Sequence, residues 1–191
     1  TAKEIAAHMD NIGGQLNAFT SKECTCYYSK VLDTHIATAI DVLSDMLFNS
    51  KFDENEIVKE KSVVCEEISM YEDSPEDLVY DSLSKTIFHK HSLGYPILGT
   101  YSSIDGLKRD DIIKFMDKNY TSENIVISVA GSFEENYLIN ELNKKFGSHS
   151  LNNEKSNIIE KPVFNSNYTF ANKDIEQIHV CAGFEGIAND G

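Results

Sequence analysis

Three glutamates stand within the run Glu60-Lys61-Ser62-Val63-Val64-Cys65-Glu66-Glu67-Ile68, and their spacing separates them into two kinds. A helix turns by about a hundred degrees per residue, so Glu60 and Glu67, one heptad apart, nearly superpose. Both fall on the flank of an apolar stripe made by Ile57, Val64, Ile68 and Tyr71, whereas Glu66 points away from it. Carboxylates at the margin of a buried face are costly to desolvate unless a cation or a donor meets them. A bound metal is one such cation. Spacing alone favours a solvated helix face, on which glutamates a heptad apart are common.

The other candidates for metal or nucleophile chemistry are weaker. The six histidines are His8, His35, His89, His91, His149 and His179, and none begins an H-x-x-E-H. His89-Lys90-His91 is an H-x-H of the kind that can bind zinc from a strand. It lies, however, past a predicted helix over Pro75–Phe88, in a Ser/Gly/Pro-containing loop with no cysteine or third histidine near it. His8 and Glu4 read as an exposed i, i+4 pair. Cys24 and Cys26 are expected to share a strand face, and Cys65 and Cys181 lie far off, so the four cysteines read as free thiols.

Elements able to position these groups follow from periodicity and punctuation. Helices are expected over Thr1–Ile12, His35–Asn49, Asp53–Glu72, Pro75–Phe88, Arg109–Asn119 and Glu134–Phe146, the third opening on a capping-box-like Asp53 and Glu56. Gly13-Gly14 stops the first helix and admits two β-like runs, Gln15–Ser21 and Thr25–Leu32. The β-branched run Asn124–Gly131 predicts a buried strand, Gln177–Phe184 a closing one, and the polar stretch Ser148–Glu160 a loop. Hairpin strands interrupted by helices predict an α+β fold.

Four motifs recur together in one known family. They are Gly13-Gly14-Gln15-Leu16-Asn17-Ala18-Phe19-Thr20-Ser21-Lys22-Glu23 followed by Tyr27-Tyr28; the Glu60–Glu67 helix running into Met70-Tyr71-Glu72-Asp73-Ser74-Pro75; and His91-Ser92-Leu93-Gly94-Tyr95-Pro96-Ile97-Leu98-Gly99-Thr100. In order and spacing the chain resembles the inverted-motif zinc peptidases: pitrilysin, insulin-degrading enzyme and the mitochondrial processing peptidases, most closely their bacterial processing-peptidase-like members. The resemblance implies a two-layer α+β sandwich, a mainly antiparallel sheet with helices on one face. It also implies a zinc metalloendopeptidase that hydrolyses peptides through a metal-activated water.

In that family zinc is held by two histidines of an H-x-x-E-H helix and by a glutamate on a later helix. By the resemblance Glu67 is the later glutamate and Glu60 its supporting acid in the outer shell. Asn17, Ala18, Phe19 and Thr20 form the edge strand on which an extended substrate adds, Ala18 leaving room for it and Asn17 bonding its backbone. The H-x-x-E-H itself, with its general base, is expected before residue 1. The chain thus reads as a single N-terminal-type domain over residues 1–191, with a second homologous domain expected beyond it and no activity of its own. A second homologous half or a homodimer partner is implied.

Composition limits the alternatives. A chain of 191 residues, 41% hydrophobic and 25% charged, has the makeup of an ordinary globular domain and buries roughly 70% of its unfolded surface. The net charge of −14 argues against a nucleic-acid partner, and no apolar run approaches a membrane span. The expected setting is the bacterial cytoplasm. The rival reading is a non-catalytic processing-peptidase-like subunit that binds peptides or partners. An acidic assembly module is a more distant third.

Overall fold

A computed structural model describes residues 1–147 and 160–187, and the loop expected over Ser148–Glu160 lies, but for its last residue, outside them. The fold is α+β. Seven α-helices and one antiparallel hairpin are present among the described residues: α1 Ala2–Asp10, β1 Gln15–Thr20, β2 Thr25–Lys30, α2 Ile36–Phe48, α3 Glu54–Glu72, α4 Pro75–Ile87, α5 Tyr101–Gly106, α6 Arg109–Asn119 and α7 Glu135–Lys145. The chain divides into two compact units interleaved in sequence, Thr1–Asp53 with Arg109–Asn157 and Glu54–Lys108 with Ile158–Gly191.

In the first unit, α1 starts on a capping box between Thr1 and Glu4 and ends where the Gly14 N–H donates to the Met9 carbonyl at 2.9 Å. Gly13 sits at φ 65°, a conformation other residues reach only with strain. The chain then enters the hairpin, with α1 against β1 and α2 against β2. Helix α2 buries Ala39, Ile40 and Val42, packs on α7, and sets Phe48 edge-to-face on Phe146 with centroids 5.5 Å apart. A Lys145–Asp41 ion pair joins the same two helices and raises the lysine's pKa. Tyr27 of β2 meets Tyr120, just past α6, hydroxyl to hydroxyl at 3.1 Å. Arg109 opens α6 and clamps the turn before α3, donating from Nε to the Phe52 carbonyl at 2.9 Å and from a terminal nitrogen to Lys51 at 3.2 Å.

The second unit is built on α3. Ile68 is its buried residue, and it packs on α4 and α5. Ser74 caps α4 and Pro75 supplies its first residue, so the α3–α4 corner is set by local chemistry. Helix α5 is tied to α3 by Lys61, which donates to the Asp105 carbonyl at 2.7 Å, and by Tyr101, whose hydroxyl reaches Glu72 at 3.4 Å. Asn165 closes the end of α4, its backbone N–H and side-chain amide both donating to the Ile87 carbonyl at 3.1 Å.

Three sequence expectations need correction. Asn124–Gly131 is not a buried strand: it pairs with nothing among the described residues, and Val126 is 89% exposed. Gln177–Phe184 likewise forms no strand there, with Ile178 92% exposed. A β-branched run becomes a strand only when a neighbour takes its N–H and C=O groups, and that neighbour is not a local property. Cys24, expected to share a strand face with Cys26, lies in the hairpin turn, where the Ser21 hydroxyl is 3.4 Å from its sulfur.

Candidate functional site

The residues singled out by sequence fall into two groups, one on α3 and one on β1, each described within its own unit. On α3 the helix brings Glu60 and Glu67 to one side, about twenty degrees apart. Ile57, Lys61, Val64, Cys65, Ile68 and Tyr71 are the partly or fully buried positions of the helix, so both glutamates lie beside that stripe and Glu66 lies opposite it. Both carboxylates are exposed, so burial is not what sets them apart. The neighbours of Glu67 one turn away are Val63 and Met70, apolar yet 46% and 71% exposed. A bare carboxylate between two uncovered apolar side chains is the local surface of this face.

Among the described residues no three His, Cys, Asp or Glu side chains gather to hold a metal. Zinc takes three protein ligands at catalytic sites and four at structural ones. The donors on α3, two exposed carboxylates two turns apart, could supply part of a zinc site and not a whole one. His91 is committed elsewhere: its Nδ1 accepts from the Leu93 N–H at 3.2 Å and its Nε2 lies 3.0 Å from the Glu160 carbonyl. Among the described residues there is no disulfide, and all four cysteines are free.

On β1 the register decides which backbone groups are available. The Ser21 N–H donates to the Cys24 carbonyl at 2.8 Å and closes the hairpin around Lys22-Glu23. In an antiparallel pair hydrogen-bonded and non-hydrogen-bonded partners alternate. Phe19↔Cys26 and Asn17↔Tyr28 are thus hydrogen-bonded pairs, while Thr20↔Thr25, Ala18↔Tyr27 and Leu16↔Ser29 are not. The N–H and C=O groups of Leu16, Ala18 and Thr20 consequently point to the outer edge of β1, and no strand among the described residues pairs there. The Asn17 carboxamide has turned onto that edge: its Oδ1 accepts from the Ala18 N–H at 2.8 Å. Phe19 is 53% exposed and packs diagonally on Tyr28, centroids 6.3 Å apart, so it serves the surface of the hairpin.

Sequence comparison supplies what the geometry alone leaves open. Residues 1–101 match the family model described as Insulinase (Peptidase family M16), and residues 106–189 match that of the Peptidase M16 inactive domain. The chain belongs to the M16 peptidase family. It is 51% identical over 187 residues to an uncharacterized zinc protease of Bacillus subtilis, YmxG, covering 98% of this chain and 45% of that protein. An uncharacterized zinc protease of Rickettsia bellii is 40% identical, again over 98% of this chain and 45% of the relative. The chain thus spans a little under half the length of these curated relatives. Among solved structures, a protease from Helicobacter pylori superposes with a TM-score of 0.74 at 24% identity, over 86% of this chain and 39% of that one, which establishes the shared fold.

Sequence reasoning missed the self-bonded state of Asn17 and the whole of α5. The signal for α5 was present in Thr100 and Ser103, which cap each other reciprocally at its start.

Proposed function

We propose that this chain serves a zinc metalloendopeptidase, with Glu67 as one zinc ligand, Glu60 as the acid that supports it, and Asn17–Thr20 as the edge on which an extended peptide lies. The observation that carries the reading is the exposed Glu67 carboxylate, one heptad after Glu60 beside the buried stripe of α3, in a chain of the M16 family. The remaining zinc ligands and the general base would come from outside the described residues. Zinc, when bound, supplies the Lewis acidity that makes water a nucleophile at neutral pH. The chain's own share is positional. Outward N–H and C=O groups at Leu16, Ala18 and Thr20 align a peptide backbone, and the small Ala18 side chain leaves space for its approach. A second homologous half, covalent or as a partner subunit, would complete the chamber.

One observation favours a second reading, a non-catalytic peptide- or partner-binding subunit: residues 106–189 match a domain described as inactive. The two readings part on zinc. In the full-length protein, Glu67→Gln should lower zinc content sharply, since a neutral amide is a far poorer ligand than a carboxylate. Glu60→Gln should weaken zinc affinity or peptide turnover within the roughly 10–100-fold typical of outer partners. Glu66→Gln, about a hundred degrees around α3 from Glu67, should match the wild type by metal analysis. Equal zinc content in all four proteins sinks the ligand assignment, and no zinc in any of them leaves the non-catalytic subunit.

A further inference from the structure

Residues 16, 18 and 20 present backbone donors to the outer edge of β1, and one of those donors is already taken. The Ala18 N–H is not part of the β1–β2 ladder, because Ala18↔Tyr27 is a non-hydrogen-bonded pair, and it is held by the Asn17 Oδ1 at 2.8 Å. The same local bond recurs at Asn167, whose Oδ1 accepts from the Tyr168 N–H at 2.9 Å in a segment with no ladder. In both places the asparagine carboxamide takes the N–H of the next residue. On β1 the capped donor is the middle one of the edge.

We propose that Asn17 is a reversible guard of this edge, its carboxamide competing with an incoming peptide carbonyl for the Ala18 N–H. The proposal rests on the reading of β1 as the peptide-binding edge. An extended peptide pairing with β1 needs the N–H and C=O of alternate residues, so full pairing through Ala18 requires the Asn17 Oδ1 to leave. The side chain is exposed and lies beside the edge, so leaving costs one neutral hydrogen bond and opens no cavity. An uncapped strand edge is also a template for unwanted pairing, and a polar side chain folded over its central donor blunts it. Selection follows: a segment is admitted only if its backbone contacts outweigh the bond it displaces, which favours peptides extended over several residues against those that touch one point.

The test uses full-length protein stripped of zinc, so that nothing is cleaved, and a labelled, short Val/Thr-rich peptide flanked by lysines. Amide exchange is followed at single residues by NMR and peptide affinity by fluorescence anisotropy. In the wild type the peptide should slow exchange at Leu16, Ala18 and Thr20, and leave the ladder amides of Asn17 and Phe19 unchanged. Asn17→Ala should speed Ala18 exchange several-fold without peptide and bind the peptide about threefold more tightly, the scale of one modest hydrogen bond. Asn17→Asp, with a stronger acceptor, should do the opposite on both readings. Unchanged Ala18 exchange in Asn17→Ala, or weaker peptide binding by it, overturns the guard while leaving the edge in place. A wild type in which the peptide protects none of the three outward amides overturns the edge-strand reading, and the guard with it.

Discussion

Gly14 and Met9 are fitted to one another. The Met9 side chain, 1% exposed, places its Cε 2.9 Å from where a β-carbon on residue 14 would lie, and Val31 Cγ1 stands at 3.0 Å on the other side. The turn from α1 into β1 is therefore closed by a backbone bond and by the absence of a side chain together.

Gly14→Ala should accordingly destabilise the protein by about 1–3 kcal/mol, the cost of overpacking a filled site. Gly13→Ala has open space around it but a φ of 65°, and should cost about 1–2 kcal/mol through backbone strain alone. Urea denaturation of both variants checks the pair. The companion change Met9→Leu should recover part of the Gly14→Ala loss and none of the Gly13→Ala loss.

The register of β1 makes proline at position 18 informative. The Ala18 N–H faces the outer edge, so Ala18→Pro removes no ladder bond, and proline is tolerated at such edge positions. The variant should fold, keep its zinc when full-length, and lose most peptide hydrolysis because a central donor is gone. Circular dichroism, metal analysis and peptide turnover together check this. Normal turnover by a folded, zinc-loaded variant would remove β1 from the substrate path.

Tyr27 and Tyr120 should show up in alkaline stability. Burial, then the hydrogen bond with Tyr27, holds the Tyr120 hydroxyl well above the ordinary tyrosine range. The folded state thus keeps a proton that the unfolded chain gives up near pH 10, so this contribution is present below about pH 10 and fades as pH rises beyond it. Tyr120→Phe should flatten that alkaline decline relative to wild type in denaturant melts. At neutral pH it should cost about 0.5–1.5 kcal/mol by leaving Tyr27 without its partner, and the Tyr27→Phe/Tyr120→Phe double variant should cost less than the two changes summed.

What could be read from sequence was what local chemistry determines. The starts and ends of α3, α4 and α6 match expectation to within a residue, because caps, Pro75 and the apolar stripe of Ile57, Val64 and Ile68 lie inside the elements they define. The hairpin was legible from Gly13-Gly14 and the flanking β-like runs. The partner of Tyr27 is 93 residues away, and nothing near either tyrosine announces the other. Asn124–Gly131 erred for the same reason, since β-branching reports a preference for pairing and not the presence of a pair. At the candidate site, the family motif marked Asn17–Thr20 and Glu67, but the direction of the Ala18 N–H needed the register. Arg109, the lone arginine of the chain, gave no hint in sequence that it clamps the Lys51–Phe52 turn.

The interleaving of the two units sets an order on how the chain can be made. The first unit takes Thr1–Asp53 and then waits for Arg109–Asn157, and its Lys145–Asp41 pair spans 104 residues. During synthesis α2 leaves the ribosome long before α7, so the apolar faces carrying Ile40 and Leu138 cannot meet until the whole of Glu54–Lys108 has emerged between them. Closing that distance is a late, entropically costly event. Translation interrupted before α7 would leave α2 resting on β2 alone, with the face that α7 covers, around Ile40, open to solvent.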